Sequence, residues 1–242
     1  MHAILVPRGA EHKAVCRGLS RTTATKPLVL PIPIGPKPLA RYLEKLQEGH
    51  FRGYVQPRVL LIGLCGSLSP HHAVGDLVIY QDCVYESPAS ARLLRTCDPE
   101  ITNLLHQELN GPPEVAPAAR PCKLKEKVSL VRALTSDRLI WSAAEKCELG
   151  KIYAASVVDM EGFAALEALS PNGIALAMVR VVSDDCHHNI PDLTLALSPN
   201  GSLQPFHLAQ RLLRQPRASA RLIRGALRGL QVLQQVTTLL FP

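Results

Sequence analysis

Apolar residues occur along the chain in short runs, and these runs alternate with segments whose apolar positions recur with helical spacing. Runs rich in Val, Ile and Leu, such as those in residues 58–68 and 174–184, are typical of strands buried on both faces. Strands that alternate with helices indicate crossover connections. The pattern therefore predicts one α/β domain over residues 1–242, with three layers: a central mixed, mostly parallel sheet flanked by helices.

Two segments dense in proline, residues 27–38 and 111–121, interrupt this alternation. Proline cannot donate to a central ladder and presets turns, so both segments are predicted to be loops or edge strands that could cover a site. Neither segment is interpreted as a domain boundary.

The net charge of +7 is unevenly distributed, because six arginines fall within the last 32 residues. Aromatic residues make up only 4% of the chain and do not alternate with basic residues, so a stacking platform for nucleic acid is not expected.

No apolar run approaches the roughly 18 residues of a membrane-spanning helix. The N-terminus lacks the basic region and cleavage site of a secretory signal, which favours a cytoplasmic location. Seven cysteines without a C-x-x-C pair indicate reduced thiols.

Polar residues follow several of the apolar runs, where the strands of an open α/β sheet place their ligands. They are Glu11, the glycine-bearing turn at 63–67, the Asp-Met-Glu-Gly of 159–162, and Ser183 to Asp185. A carboxylate in an apolar strand mouth can have a raised pKa and act as an acid, which makes Asp184 a candidate proton donor. Glu161 could accept hydrogen bonds from vicinal hydroxyls, as in a sugar site. Helix capping is the alternative for both acidic segments.

Histidines and cysteines at 71–72 and 186–188 lack the spacing of metal ligands, so no metal site is predicted.

Four pieces in this order resemble the nucleoside phosphorylase and nucleosidase superfamily: an N-terminal strand followed by a Glu, "LIGLCGSL" with "VGDLVI", "VVDMEGFAAL", and "VRVVSDD". This family includes purine nucleoside phosphorylases and methylthioadenosine/S-adenosylhomocysteine nucleosidases. The resemblance implies cleavage of the N-glycosidic bond of a purine nucleoside without a cofactor. It further implies that Asp184 is the general acid to the base, oriented by Ser183. Met160 and Glu161 would line the ribose site, Gly66 would approach the substrate, and Leu139 and Ile140 would contact the base.

The same resemblance bears on the nucleophile. Phosphorolytic members carry an Arg and a Ser where this chain has Leu61 and Leu64, and an apolar pair cannot bind a dianion. Hydrolytic members use a Glu after the first strand to position water, and Glu11 occupies that place. Hydrolysis is therefore predicted. The alternative is phosphorolysis with phosphate as co-substrate, for which Arg8 could supply the cation.

The C-terminal part is similar to the hopanoid-associated subgroup, which implies as an alternative substrate an adenosine attached to a polycyclic lipid, such as adenosylhopane. A basic amphipathic helix is predicted at about 217–240, with arginines on one face. That helix could contact an anionic membrane surface or simply pack on the domain. Family members commonly self-associate, so a dimer is expected. A different class of function also stays open: a protein that binds nucleosides without catalysis.

Overall fold

The computed structural model describes residues 1–20, 26–51, 56–86, 92–111, 128–196, 198, 200–202 and 204–242. The second proline-dense segment, 111–121, lies almost wholly outside these ranges, and so does Cys122. The six cysteines within them are free thiols. Within the same ranges, no helix combines the length and the apolar character needed to span a bilayer.

Eight strands and seven α-helices make up the described part of the chain. The strands are β1 (Ala3–Pro7), β2 (Leu28–Ile32), β3 (Arg58–Ser67), β4 (Leu77–Glu86), β5 (Arg92–Thr96), β6 (Ser129–Thr135), β7 (Val157–Asp159) and β8 (Ala175–Asp184). The helices are α1 (Ala10–Leu19), α2 (Pro36–His50), α3 (Pro99–Asn110), α4 (Ala143–Tyr153), α5 (Gly162–Leu169), α6 (Pro205–Arg214) and α7 (Pro216–Leu240). Short 3-10 turns lie at Ser170–Asn172 and Thr194–Ala196.

The eight strands form one mixed sheet in the order β2-β1-β3-β7-β6-β4-β5, and β8 pairs with both β3 and β4. Five of the eight pairings are parallel, which confirms the predicted mixed, mostly parallel sheet. Because β8 bridges β3 and β4, the strands β3, β7, β6, β4 and β8 close into a ring, while β1, β2 and β5 extend outside it. The hydropathy pattern did not indicate this closure, since a strand paired on both edges reads like any other buried strand.

Helices cover both faces of the sheet, as predicted. On one face, leucines of α2 and the apolar residues of α5 join the inward side chains of β3, β4 and β8 in one core cluster. On the other face, α1, α3 and the second half of α7 pack against the opposite side chains of the same strands. A smaller cluster links β4, β6 and α4 near the end of the ring.

The first proline-dense segment, 27–38, forms β2 and the start of α2. β2 pairs only with β1 among the described strands, so the prediction of an edge strand is confirmed. Pro36 and Pro38 stand in the first turn of α2, where no intrahelical donor is lost.

Helix α7 begins within one residue of its predicted start and lies close against the sheet. Its second half buries Val232, Leu233, Val236 and Leu240, whereas Ile223 and Leu227 in the first half are exposed. The contact is tight at Gly225, where an added Cβ would collide with the Ser183 carbonyl oxygen. The C-terminal end of β8 is therefore fixed by direct backbone contact with α7.

Candidate active site

A cavity of about 190 Å³ opens at the end of the sheet where β3, β7 and β8 finish. The structure brings all eight sequence-predicted site residues into its lining: Glu11, Gly66, Leu139, Ile140, Met160, Glu161, Ser183 and Asp184. They come from five separate parts of the chain. The convergence of three acidic side chains around one hollow, on which the functional hypothesis depends, is therefore present.

Glu11 enters the cavity from the first turn of α1. Its Oε1 accepts the Leu64 amide hydrogen at a donor-acceptor distance of 2.7 Å, so the backbone of β3 holds the carboxylate in place. Burial raises the pKa of Glu11 to about 7, against the lowering effects of the Leu64 amide and Arg180. A carboxyl group with this pKa can accept a proton at neutral pH.

Glu161 and Asp159 share a buried guanidinium. Arg180, fully buried in β8, donates from Nη2 to Asp159 at 2.9 Å and to Glu161 at 3.3 Å. Burial lowers the pKa of Arg180, but the two carboxylates outweigh it and the pKa is raised, so the arginine stays charged. Burial in turn raises the pKa of Glu161, although Arg180 opposes it. The Gly35 amide donates to Glu161 Oε1 at 3.2 Å, which aims the other oxygen at Arg180.

Asp159 connects β6, the start of α5 and Arg180 through its hydrogen bonds. It accepts the Thr135 hydroxyl at 2.8 Å and the Gly162 amide at the start of α5, besides its bond from Arg180. The capping alternative thus applies to Asp159, which lines the cavity together with Glu161.

Asp184 is held by two partners at the end of β8. The ammonium of Lys146, fully buried in α4, contacts Oδ2, and the Ser183 hydroxyl lies 2.9 Å from Oδ1. Lys146 also donates to the Asp185 carbonyl oxygen at 3.0 Å. The capping role that the sequence left open belongs to Asp185, whose carboxylate accepts the backbone amides of His187 and His188 in the segment that follows β8. The sequence did not indicate that the apolar strand mouth contains an ion pair, because Lys146 lies in a distant helix.

Two glycines of β3 leave room for these side chains. A Cβ at Gly63 would contact Arg180 Nη1 and lie 2.7 Å from Glu11 Oε1. A Cβ at Gly66 would lie 2.8 Å from Asp184 Oδ2. Glu11 and Asp184 can therefore lie this close to β3 only because both positions lack a side chain.

Neither of the two positions that the resemblance links to phosphate binding brings a polar side chain to the cavity. Leu61 is fully buried in the core and Leu64 lines the cavity. Arg8 is exposed, with its guanidinium carbon 5.7 Å from the Tyr42 ring centre and Nε 3.4 Å from the Pro31 carbonyl oxygen, and it does not line the cavity. In the described ranges, no group of His, Cys, Asp and Glu is arranged to hold a metal ion.

A known protein family matches most of the chain. The sequence profile described as the phosphorylase superfamily matches residues 17–213. The chain belongs to the phosphorylase superfamily. This membership confirms the resemblance that the four motifs predicted and, with it, the expectation of an enzyme. No curated protein matches the sequence.

Solved structures share the fold of this phosphorylase superfamily member at low identity. The Helicobacter pylori 5'-methylthioadenosine/S-adenosylhomocysteine nucleosidase matches with a TM-score of 0.62 and 16% identity over 97% of this chain and 96% of that one. The Streptococcus pyogenes S-adenosylhomocysteine nucleosidase has a TM-score of 0.62 and 17% identity, covering 98% and 95%. The futalosine hydrolase of Helicobacter pylori has a TM-score of 0.59 and 17% identity, covering 93% and 96%.

Proposed function

We propose that the protein cleaves the N-glycosidic bond of a purine nucleoside of the adenosine type by hydrolysis. The observation that carries this proposal is the convergence of Glu11, Glu161 and Asp184 around one cavity. Membership in the phosphorylase superfamily and a fold shared with nucleosidases and a futalosine hydrolase support it.

In this mechanism, the bond between the base nitrogen and the anomeric carbon breaks while a water oxygen bonds to that carbon. Positive charge develops on the sugar and negative charge on the departing base. Asp184, ion-paired with the Lys146 ammonium, passes to the base a proton that Lys146 supplies, so that Asp184 ends the step as a carboxylate and Lys146 as a neutral amine. Glu11 takes a proton from the attacking water. Glu161 accepts hydrogen bonds from the ribose hydroxyls, and Met160 packs on the sugar. The products are the free base and the free sugar.

The electrostatics of the cavity favour water over phosphate as the nucleophile. Each described cation that lines this cavity or contacts one of its carboxylates already has a carboxylate partner: Arg180 has Asp159 and Glu161, Lys146 has Asp184, and Arg138 has Glu145. A phosphate dianion would find no free positive charge there. The half-buried Glu11, with its pKa raised to about 7, suits the activation of water.

Release of free base from adenosine, measured with and without phosphate, tests the proposal. We expect the same rate in both conditions, and we expect Asp184→Asn to lower it by about 10²-fold or more. Glu100→Gln is the control. Glu100 lies on α3 and forms an exposed ion pair with Arg58 of β3, so this variant should leave the rate unchanged. Strict phosphate dependence would support the phosphorylase alternative instead. Tight adenosine binding without base release would support a non-catalytic binding protein.

A second hollow of about 340 Å³ adjoins the cavity and suggests where the 5′ substituent of the nucleoside lies. It shares Ile34, Arg138, Leu139 and Met160 with the cavity and continues past Pro36 to Leu193. This mostly apolar lining favours a bulky, apolar 5′ group over an unsubstituted hydroxymethyl. A panel of 5′-substituted adenosines tests the idea, and a lipid-linked adenosine belongs in that panel. Equal kcat/KM across the panel would contradict it.

Peripheral membrane contact through the basic helix α7 stays a prediction, and we propose that α6 contributes to it. Phe206 and Leu213, seven residues apart on one face of α6, have exposed fractions of 79% and 81%. Arg211 and Arg214 lie on the same helix, and no acidic residue follows Asp192. Co-sedimentation with anionic vesicles should weaken in salt and in Phe206→Ser/Leu213→Ser. The expected dimer and the cytoplasmic location stay predictions.

A further inference from the structure

A third hollow of about 340 Å³ lies beside the cavity and is bounded by Ser183 and Asp184, which line both. Its far wall is the first half of α7, which contributes Arg221, Arg224 and Arg228. We call it the arginine hollow. Because Gly225 of α7 touches the Ser183 backbone, the hollow keeps a fixed position relative to Asp184.

The three arginines share one side of α7, since they are spaced by three and four residues. None of them forms an ion pair with any residue that the structure describes. Three arginines without ion-pair partners on the wall of one hollow leave positive charge there that no ion pair neutralises, and an anion bound among them would supply the counter-charge.

Two of the three side chains are held in place. The Arg228 side chain lies on Gly75, where an added Cβ would be 2.9 Å from Nε and 3.2 Å from Cγ. Arg221 Nη2 donates to the Asn189 carbonyl oxygen at 3.3 Å. Positioned guanidinium groups lose less conformational entropy when a ligand binds than freely moving ones.

The acidic residues of the hollow are already partnered. Asp184 contacts the buried Lys146 ammonium. Asp185 accepts two backbone amides and lies 3.0 Å from His188 Nδ1. The arginines therefore give the hollow an excess of positive charge, which suits a phosphate or carboxylate group.

We propose that the arginine hollow binds a phosphate- or carboxylate-bearing group beside Asp184. This inference rests on the proposed function, which makes Asp184 the residue that faces the base. The anion is either carried by the departing base or free in solution. It is not the nucleophile of phosphorolysis, because Glu11 and Glu161, the residues proposed to act at the sugar, do not line this hollow.

Binding of inorganic phosphate, measured by titration calorimetry on the full chain, tests the free-anion source. We expect Arg221→Gln/Arg224→Gln/Arg228→Gln to weaken binding by about tenfold or more, as for loss of hydrogen bonds to charged groups. Arg217→Gln, on the same helix but outside the hollow, is the matched control and should bind like the wild type. Circular dichroism checks that the triple variant folds.

Base release from N6-(1,2-dicarboxyethyl)adenosine, compared with adenosine, tests the substrate-borne source. The triple variant should lose about tenfold in kcat/KM on the carboxylated nucleoside and keep its rate on adenosine. An effect with either probe supports the inference and identifies the source. If the folded triple variant matches the wild type with both probes, the inference is wrong.

Glu11→Gln separates this inference from the proposed function. It should abolish base release and leave phosphate binding unchanged, because Glu11 lies outside the hollow. An enzyme that releases adenine normally but shows no arginine-dependent anion effect would keep the proposed function and remove the hollow from it.

Discussion

Replacing Glu11 by Gln should make the folded protein more stable at alkaline pH, at the cost of activity. Burial raises the pKa of Glu11 from its ordinary value of 4.5 to about 7. The folded protein therefore binds this proton more tightly than the unfolded chain does. Its contribution to stability is greatest below pH 4.5 and is lost as the pH rises to 7.

The size of this effect follows from the two pKa values. Ionised Glu11 costs up to about 3 kcal/mol of folding free energy at pH 8 and about 1 kcal/mol at pH 5. Solvent contact of the partly exposed side chain reduces both figures. Gln keeps an acceptor for the Leu64 amide without the charge, so the variant should gain up to about 2 kcal/mol over the wild type between pH 5 and pH 8.

Urea unfolding at pH 5, 6, 7 and 8 measures this gain, with the exposed Glu148→Gln of α4 as control. The control should follow the wild type at every pH. If the free energies of unfolding of Glu11→Gln and the wild type run parallel from pH 5 to pH 8, then Glu11 does not carry a raised pKa. In that case its proposed role as the base for water loses its physical support.

Three further substitutions test the geometry around Asp184. Gly66→Ala places a Cβ 2.8 Å from Asp184 Oδ2 and should lower kcat/KM at least tenfold while circular dichroism stays unchanged; normal kinetics would show that the carboxylate adapts freely. Lys146→Met removes the buried partner of Asp184 and should destabilise the fold by about 3–5 kcal/mol, measured by urea unfolding. Gly225→Ala should separate α7 from Ser183 and lower both the melting temperature and activity; retention of both would contradict the tight contact.

The sequence was sufficient to predict the layers of the fold and to identify the acidic residues of the site. Strand ends with polar residues are local features, so Glu11, Glu161 and Asp184 could be found from where apolar runs stop. Their convergence could not be worked out from the pattern alone, because it depends on how β3, β7 and β8 are ordered in the sheet.

The basic partners of these acids were harder to predict. Arg180 left a signal, since it is the single charged residue in the apolar run of β8, and a buried arginine requires carboxylates nearby. Nothing in the sequence indicated that Lys146 is buried, because a lysine in an amphipathic helix is ordinarily exposed. Its burial against Asp184 depends on how α4 packs beside the end of β8, which no local pattern specifies.

The dual pairing of β8 with β3 and β4 has a consequence for biosynthesis. Until residue 184 has left the ribosome, two long strands keep unpaired edges, which are sites of aggregation in a nascent chain. Because the strand that seals these edges also delivers Asp184, catalytic competence and protection from aggregation should be acquired in the same late folding event.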